Sequence, residues 1–398
     1  MNAESFLDGH LAQTTLYPLG LRVARAEGLD LILEDGRRIM DLISGIGPSA
    51  WGHGHPEILQ ALHAQIDRHL HTMVYGEFHQ RSQDDAARLL TEMLPPSLDT
   101  VYFVNSGAEA IEGAMKLAKR ITRRGGFVAC TGAYHGNTHG ALSVSYNAER
   151  KAPFAPLLPD ITFMPFNDLD GLAAIDGTQA AVVVETVQGD AGIRIPSRAW
   201  LAALRERCDE TGTLLIFDEV QAGMGRTGKA FAFQHFGVVP DVLCLGKALG
   251  GGLPIGAFVA RRDWMRQLAH TPSLGHITTF GGHPVPCASA AAALRLLARH
   301  DWEAMERAGA RLEAFLLAHP LVVEVRRIGL YIAVELPDEA AVTRVIQRGL
   351  EEGILLFWFL STPQAFRMAP PLNLNESDWA RIWSPLQAAL DAGIPSEH

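Results

Sequence analysis

From about residue 98 to residue 260 the chain alternates short, continuous apolar runs with stretches whose apolar positions recur every three or four residues. TVYFV is followed by AEAIEGAMKLAKRI, and AAVVVETV by SRAWLAALRERCDE; LLIFDEV, DVLCLGK and PIGAFVA come after. Runs that are apolar throughout belong to strands buried on both faces, and amphipathic helices between them supply the cover. The pattern therefore predicts an α/β fold: a large domain whose mostly parallel sheet is covered by helices. Ligands of such sheets bind beyond the carboxyl ends of the strands, which places the chemistry just after VYFV, VVVE and LIFDE. The flanks read differently. LRVARAEG, LDLILEDG and RRIMDLIS are short strand-like pieces, and after HPVPCASA a long helical stretch leads into VVEVRRIGLYIAVEL and a last helix-strand-helix pattern. These are expected to be two pieces, residues 1–50 and 286–398, of one smaller α+β domain packed beside a large domain of residues 51–285.

Composition narrows the function classes. At 398 residues, with 48% hydrophobic and 20% charged, the chain has the make-up of a globular protein long enough for a cleft between domains. Its net charge of -10 opposes nucleic acid, and no separate basic face is evident. The start, MNAESFLDGH, lacks the basic and then apolar run of a signal peptide, and no apolar stretch is long enough for a bilayer. The expected compartment is the cytoplasm, with no membrane partner. Cys130, Cys208, Cys244 and Cys287 lie far apart without a C-x-x-C pair, so neither a disulfide framework nor a zinc knuckle is suggested. His135 and His139 have the i, i+4 spacing of helical zinc ligands, but HGNTH places Gly136 and Asn137 where a metalloprotease helix carries its general base. No metal site is expected.

Three features leave predicted strands with chemistry to offer. After VYFV, Ser106 is placed as an N-cap with Glu109 three positions on, and Gly107 lets a ligand approach the free N–H groups of the helix start, an anion site suited to phosphate. Asp218 closes LLIFDE, where a carboxylate can face a cleft. Lys247 follows DVLCLG on a glycine-flanked turn; an amine partly desolvated there has a lowered pKa and becomes a useful nucleophile. The stretch GMGRTGK fits G-x-x-x-x-G-K, but Lys229 is followed by Ala230 instead of Ser or Thr, FAFQHFG is a poor helix start, and the loop does not follow its own strand. A nucleotide-hydrolase site is therefore not expected there.

Taken in order, SGAEA (106–110), AYHG (133–136), ETVQGDAG (185–192), FDEVQAGMGRTG (217–228), CLGKALGGGLPIGA (244–257), TTFGGHP (278–284) and FRMAPPL (366–372) resemble the class III aminotransferases, pyridoxal-phosphate enzymes that include the acetylornithine, ornithine and 4-aminobutyrate aminotransferases. DLISGIGPSAWGHGHP (41–56) is similar to a further family stretch, so the likeness covers nearly the whole chain. The resemblance implies fold type I, pyridoxal 5'-phosphate as cofactor and a homodimer with shared active sites. It implies Lys247 as the Schiff-base lysine that moves the proton, and Asp218 as the partner of the pyridine nitrogen. Tyr134 would stack on the ring, with His135 beside it and Gln221 on the phenolic oxygen. Ser106, Gly107 and Ala108 would hold the phosphate, completed by Thr279 from the other subunit. Arg367 would grip the substrate α-carboxylate, Glu185 and Asp190 would border the substrate, and Tyr75 would be a pocket wall.

The implied reaction passes nitrogen from an ω-amine or amino acid to a 2-oxo acid such as 2-oxoglutarate. An amine:pyruvate transaminase, an aminomutase, a decarboxylating transaminase and a non-catalytic ligand sensor are the alternatives. Two departures stand out. Where ornithine-like relatives have a second Glu that can mask the arginine, this chain has Asp190, one methylene shorter. Phe357, Trp358 and Phe359 form an unexpectedly aromatic run, either an apolar pocket lining or a buried strand.

Overall fold

The computed structural model describes residues 10–394; the leading segment read above for a targeting signal lies, up to residue 9, outside the described residues. A seven-stranded sheet organises the large part of the chain. Its order is Thr100–Val104, Gly256–Ala260, Val242–Leu245, Leu214–Asp218, Gln179–Glu185, Gly126–Cys130 and Ile161–Met164. Gly256–Ala260 pairs antiparallel with both neighbours and every other pairing is parallel, so six strands share one direction. The strands read as VVVE, LLIFD and VLCL are buried at every position, as strands covered on both faces must be. PIGAFVA is the exception to the direction. Gly126–Cys130 and Ile161–Met164 extend the sheet beyond the strands anticipated from the apolar runs.

The helix Gly107–Thr122 leaves the edge strand Thr100–Val104 and crosses one face of the sheet toward Gly126–Cys130. Its buried positions, Ala110, Ile111, Ala114, Met115, Leu117 and Ala118, recur with the helical period and form its inner stripe. Gly113 is needed for close approach, because a Cβ there would lie 2.4 Å from Phe258. Ser106 Oγ accepts from Glu109 N at 3.2 Å, as the cap spacing predicts. The reciprocal bond lands one residue earlier: Glu109 accepts from Asn105 N at 2.7 Å.

Two smaller sheets flank this body. Val23–Glu27, Asp30–Leu33 and Arg38–Asp41 form a meander that is closed by Ile354–Leu355, pairing parallel with Met40 and Asp41. Glu324–Ile328, Tyr331–Glu335, Ala365–Met368 and Phe357–Trp358 form an antiparallel sheet, with the helices Glu339–Glu351 and Glu376–Gly393 packed against each other nearby. The helix Pro284–Ala298 packs on Pro56–Arg68, Arg81–Thr91 and the Lys247 turn. Among the described residues no helix is long and apolar enough to cross a membrane.

Candidate active site

The carboxyl ends of the central strands converge on one cleft of about 270 Å³, near the lower end for small-molecule sites (~300–1,000 Å³). Gly107, Ala108, Tyr134, His135, Glu185, Asp190, Asp218, Gln221 and Lys247 all border it. Asp218 is the last residue of its strand, so its carboxylate projects past the sheet edge. One oxygen lies 2.7 Å from His135 Nδ1 and the other accepts from Val220 N at 2.9 Å. Burial alone would push the His135 imidazole down; the bond to Asp218 and its charge, with Glu185 behind, raise it above its ordinary value instead. The other imidazole nitrogen, Nε2, is buried without a hydrogen-bond partner among the described residues.

Lys247 opens the turn Lys247–Gly250 directly after Val242–Leu245, with a left-handed φ of 44°. Its Nζ donates to Gln221 Oε1 at 3.0 Å. Burial and the Arg367 cation hold the amine down at about 8, against the opposing pull of Asp218, Glu185 and Asp190. The loop after Asp41 closes over this lysine: a Cβ on Gly47 would be 3.5 Å from Lys247 Cδ. Glu185 ends the neighbouring strand and accepts from Tyr134 N at 3.0 Å and Gly189 N at 2.8 Å. Burial, helped by the Asp218 charge and opposed by His135, raises its carboxyl to about 7.

At the helix start a Cβ on Gly107 would sit 2.6 Å from Val220 Cγ1, so only glycine allows the backbone to come this close. The first N–H groups of a helix have no acceptor within it, and those of Gly107 and Ala108 stand at the cleft edge.

Arg367 and Asp190 form a buried ion pair, Nη2 to Oδ1 at 2.9 Å, each about 5% exposed. The shorter Asp190 thus reaches the arginine. It also accepts from Leu360 N and Ser361 Oγ, both at 3.0 Å. Arg367 Nε donates to Trp358 O at 3.1 Å, and its guanidinium lies 4.4 Å from the Phe359 ring centre. The aromatic run therefore seats the arginine: Phe359 is buried beneath it and none of the three rings borders the cleft.

Tyr75 and Thr279 are not brought to the cleft of their own chain. Tyr75 donates to Val101 O at 3.2 Å and packs on Tyr102, with ring centres 4.5 Å apart. Thr279 is exposed on the segment between Ile277 and Phe280. Residues missed by the sequence reading include Val220 and Asn137 on the cleft wall, and Glu219, whose carboxylate accepts from Ala232 N and Phe233 N at 2.7 and 2.6 Å. GMGRTGK is a structural joint. Arg226 is buried with its donors on Leu330 O and Pro370 O at 3.1 and 2.7 Å, and burial holds it down at about 10. Lys229 is exposed and donates to Gln234 O, with only the short turn Ala232–His235 following.

This arrangement, a cleft at strand carboxyl ends with a depressed lysine, a buried carboxylate and a glycine-lined helix start, matches a known class. The sequence profile of the class III aminotransferases ("Aminotransferase class-III") matches residues 12–390. The chain is 40% identical over 396 residues to an acetylornithine aminotransferase of Methanopyrus kandleri, covering 98% of this chain and 100% of that one. It is 36% identical to a putrescine aminotransferase of Pectobacterium atrosepticum, over 95% of this chain and 84% of that one. The ornithine aminotransferase of Toxoplasma gondii, solved with partial occupancy of pyridoxal phosphate at its active site, superposes with a TM-score of 0.89 at 30% identity, over 96% of this chain and 92% of that one. The fold is that of fold type I pyridoxal-phosphate enzymes. The chain belongs to the class III aminotransferases. It is a transferase that uses pyridoxal phosphate to move an amino group. The residues present fit that cofactor: the Gly107 cradle that a Cβ would fill, the amine of Lys247 and the carboxylate of Asp218 lie on one cleft.

Proposed function

We propose that the chain acts as a homodimer in the cytoplasm, taking nitrogen from an ω-amine or amino acid and giving it to a 2-oxo acid, with 2-oxoglutarate as acceptor. The observation that carries this reading is the pairing of a depressed lysine with a buried guanidinium whose carboxylate partner belongs to the chain itself. Arginine binds a carboxylate bidentately in a way lysine cannot copy. The named relatives act on acetylornithine, putrescine and ornithine, which have in common a primary amine at a chain end, and this supports an ω-amine donor.

When bound, pyridoxal phosphate supplies an electrophilic carbonyl and an electron-withdrawing ring that stabilises a carbanion at the substrate carbon. Lys247 Nζ, as free base, would provide the nucleophile and the group that holds and moves the proton. Asp218 would hold a proton on the ring nitrogen, and the His135 bond keeps its carboxylate oriented. Tyr134 and Val220, both on the cleft wall, would hold the ring between them, and Gln221 would hydrogen-bond its phenolic oxygen. Ser106, Gly107 and Ala108 would hold the phosphate, the last two from the cleft edge. Asp190 masks Arg367 while an amine reacts and yields it to the α-carboxylate of the acceptor.

Dimerisation is supported by an exposed apolar patch. Leu70, Met73, Phe78, Ile277 and Phe280 are exposed on two segments joined by Tyr75 N to Thr278 O at 3.2 Å, and contiguous apolar surface marks interaction sites. Thr279 lies exposed within this patch, and in the proposed dimer it would complete the partner's phosphate site. The small domain from both chain ends is supported by Ile354–Leu355 closing the N-terminal sheet. The cytoplasmic placement is supported by four free, buried cysteines. The test is a panel of ornithine, acetylornithine, lysine, 4-aminobutyrate and putrescine with 2-oxoglutarate, read out as glutamate. Borohydride reduction and peptide mass spectrometry should place a cofactor-mass adduct on Lys247. No glutamate from any donor would overturn the choice of acceptor.

A further inference from the structure

On the strand Tyr331–Glu335, Ala333 stands directly opposite Arg367 of Ala365–Met368. Opposite residues of an antiparallel pair share a face, as do alternate residues of one strand. Tyr331 and Arg367 are therefore diagonal neighbours on one face, with Cβ atoms roughly 7 Å apart. Tyr331 is 1% exposed, yet its hydroxyl has no hydrogen-bond partner among the described residues. A buried hydroxyl left unpaired costs free energy, which gives it an affinity for any acceptor that arrives.

The hydroxyl points at the cleft wall. It lies 2.1 Å from where a Cβ on Gly189 would be, and the same point is 3.2 Å from Gln221 Oε1 and 3.4 Å from Glu185 Oε2. The bare backbone of Gly189 is what admits it there. Burial holds the phenol far above its ordinary value, so it stays a hydrogen-bond donor. Arg367 meanwhile has Nε committed to Trp358 O, which blocks the fork formed by Nε and Nη2 and leaves its terminal nitrogens for an incoming carboxylate.

We infer that Tyr331 is a specificity-determining residue: when the α-carboxylate of a 2-oxo acid takes the place of Asp190 on Arg367, the Tyr331 hydroxyl donates to it as well. This rests on the reading of Arg367 as the acceptor's carboxylate site. Tyr331→Phe removes the hydroxyl and keeps the ring, so packing is preserved. In the full-length holoenzyme, stopped-flow absorbance separates the two half-reactions, with putrescine as a donor without carboxylate and 2-oxoglutarate as acceptor. The expected result is a rise of about ten-fold in the 2-oxoglutarate concentration for half-saturation, as for loss of one bond to a charged group, with the putrescine half-reaction within about two-fold and no fall in thermal midpoint. An unchanged acceptor dependence, or equal loss in both half-reactions, overturns the role of Tyr331. Arg367→Lys separates the two readings. If it weakens 2-oxoglutarate while Tyr331→Phe does not, only the tyrosine's role fails; if neither variant weakens it, the carboxylate site itself is misplaced.

Discussion

The two ends of the cleft are built in different ways. At the end with Asp218 and Lys247, every group sits on or just past a strand of one sheet, and the Asp218–His135 bond joins two such strand exits. At the end with Asp190, the ion pair to Arg367, buried behind the cleft wall, joins a strand of the small antiparallel sheet to a loop of the large one, across 177 positions in sequence. Leu360 N, Ser361 Oγ and Arg326 Nε, which donates to Gly192 O at 2.7 Å, tie the same two pieces together. A sheet edge fixes geometry tightly, whereas a seam between pieces can be re-set by small shifts. The first arrangement suits a constant cofactor and the second suits substrates that alternate.

Breaking the sheet-built end should cost most. Lys247→Ala is expected to lower turnover by about four orders of magnitude, measured as glutamate formed from the best donor. A fall of less than ten-fold would remove Lys247 from the chemistry. Asp218→Asn keeps the shape but not the charge, and turnover should fall on the order of a thousand-fold. The same substitution removes what raises His135, whose NMR titration should move to lower pH. At the seam, Asp190→Ala leaves a buried guanidinium without its carboxylate, and urea unfolding should show about 3 kcal/mol lost. Adding 2-oxoglutarate should restore more stability to this variant than it adds to the wild type; equal gains would mean that Arg367 does not receive the acceptor.

The smallest effect tests whether the two ends communicate. With Lys247 near 8, capture of cofactor by the apoprotein should speed up about ten-fold per pH unit below that value and level off above it, because the free base is the nucleophile. Arg367 disfavours the ammonium, so Arg367→Met should raise the lysine's pKa and move the midpoint to higher pH. A midpoint unmoved within a few tenths of a unit would show that the ends are electrically separate.

What could be read from sequence follows the same division. Asp218 and Lys247 announced themselves because an apolar run that ends in a charged residue marks where a buried strand emerges. Ser106 did so because a cap is a local matter, although the Glu109 carboxylate chose Asn105 N, a detail set by loop shape. The seam was far less legible. The loss of a methylene at Asp190 put its reach in doubt, and nothing local revealed that Leu360 and Ser361 would come to meet it. Tyr331 and Val220 depend on register and close packing, which leave no periodic trace. GMGRTGK is the opposite case, a signature that its surroundings do not support: its glycines serve a tight joint around a buried Arg226, with a Cβ on Gly225 falling 2.8 Å from Leu372.

The backbone of Lys247 has one more consequence. Its φ of 44° belongs to the left-handed region, where a side chain costs on the order of 1–3 kcal/mol and glycine meets no steric penalty. On the proposed assignment Lys247→Gly would relieve that strain while removing the nucleophile, so at this position the most comfortable residue is an inert one. With the proposed role for Lys247, stability and activity pull in opposite directions here, and the lysine stands against the preference of its own main chain.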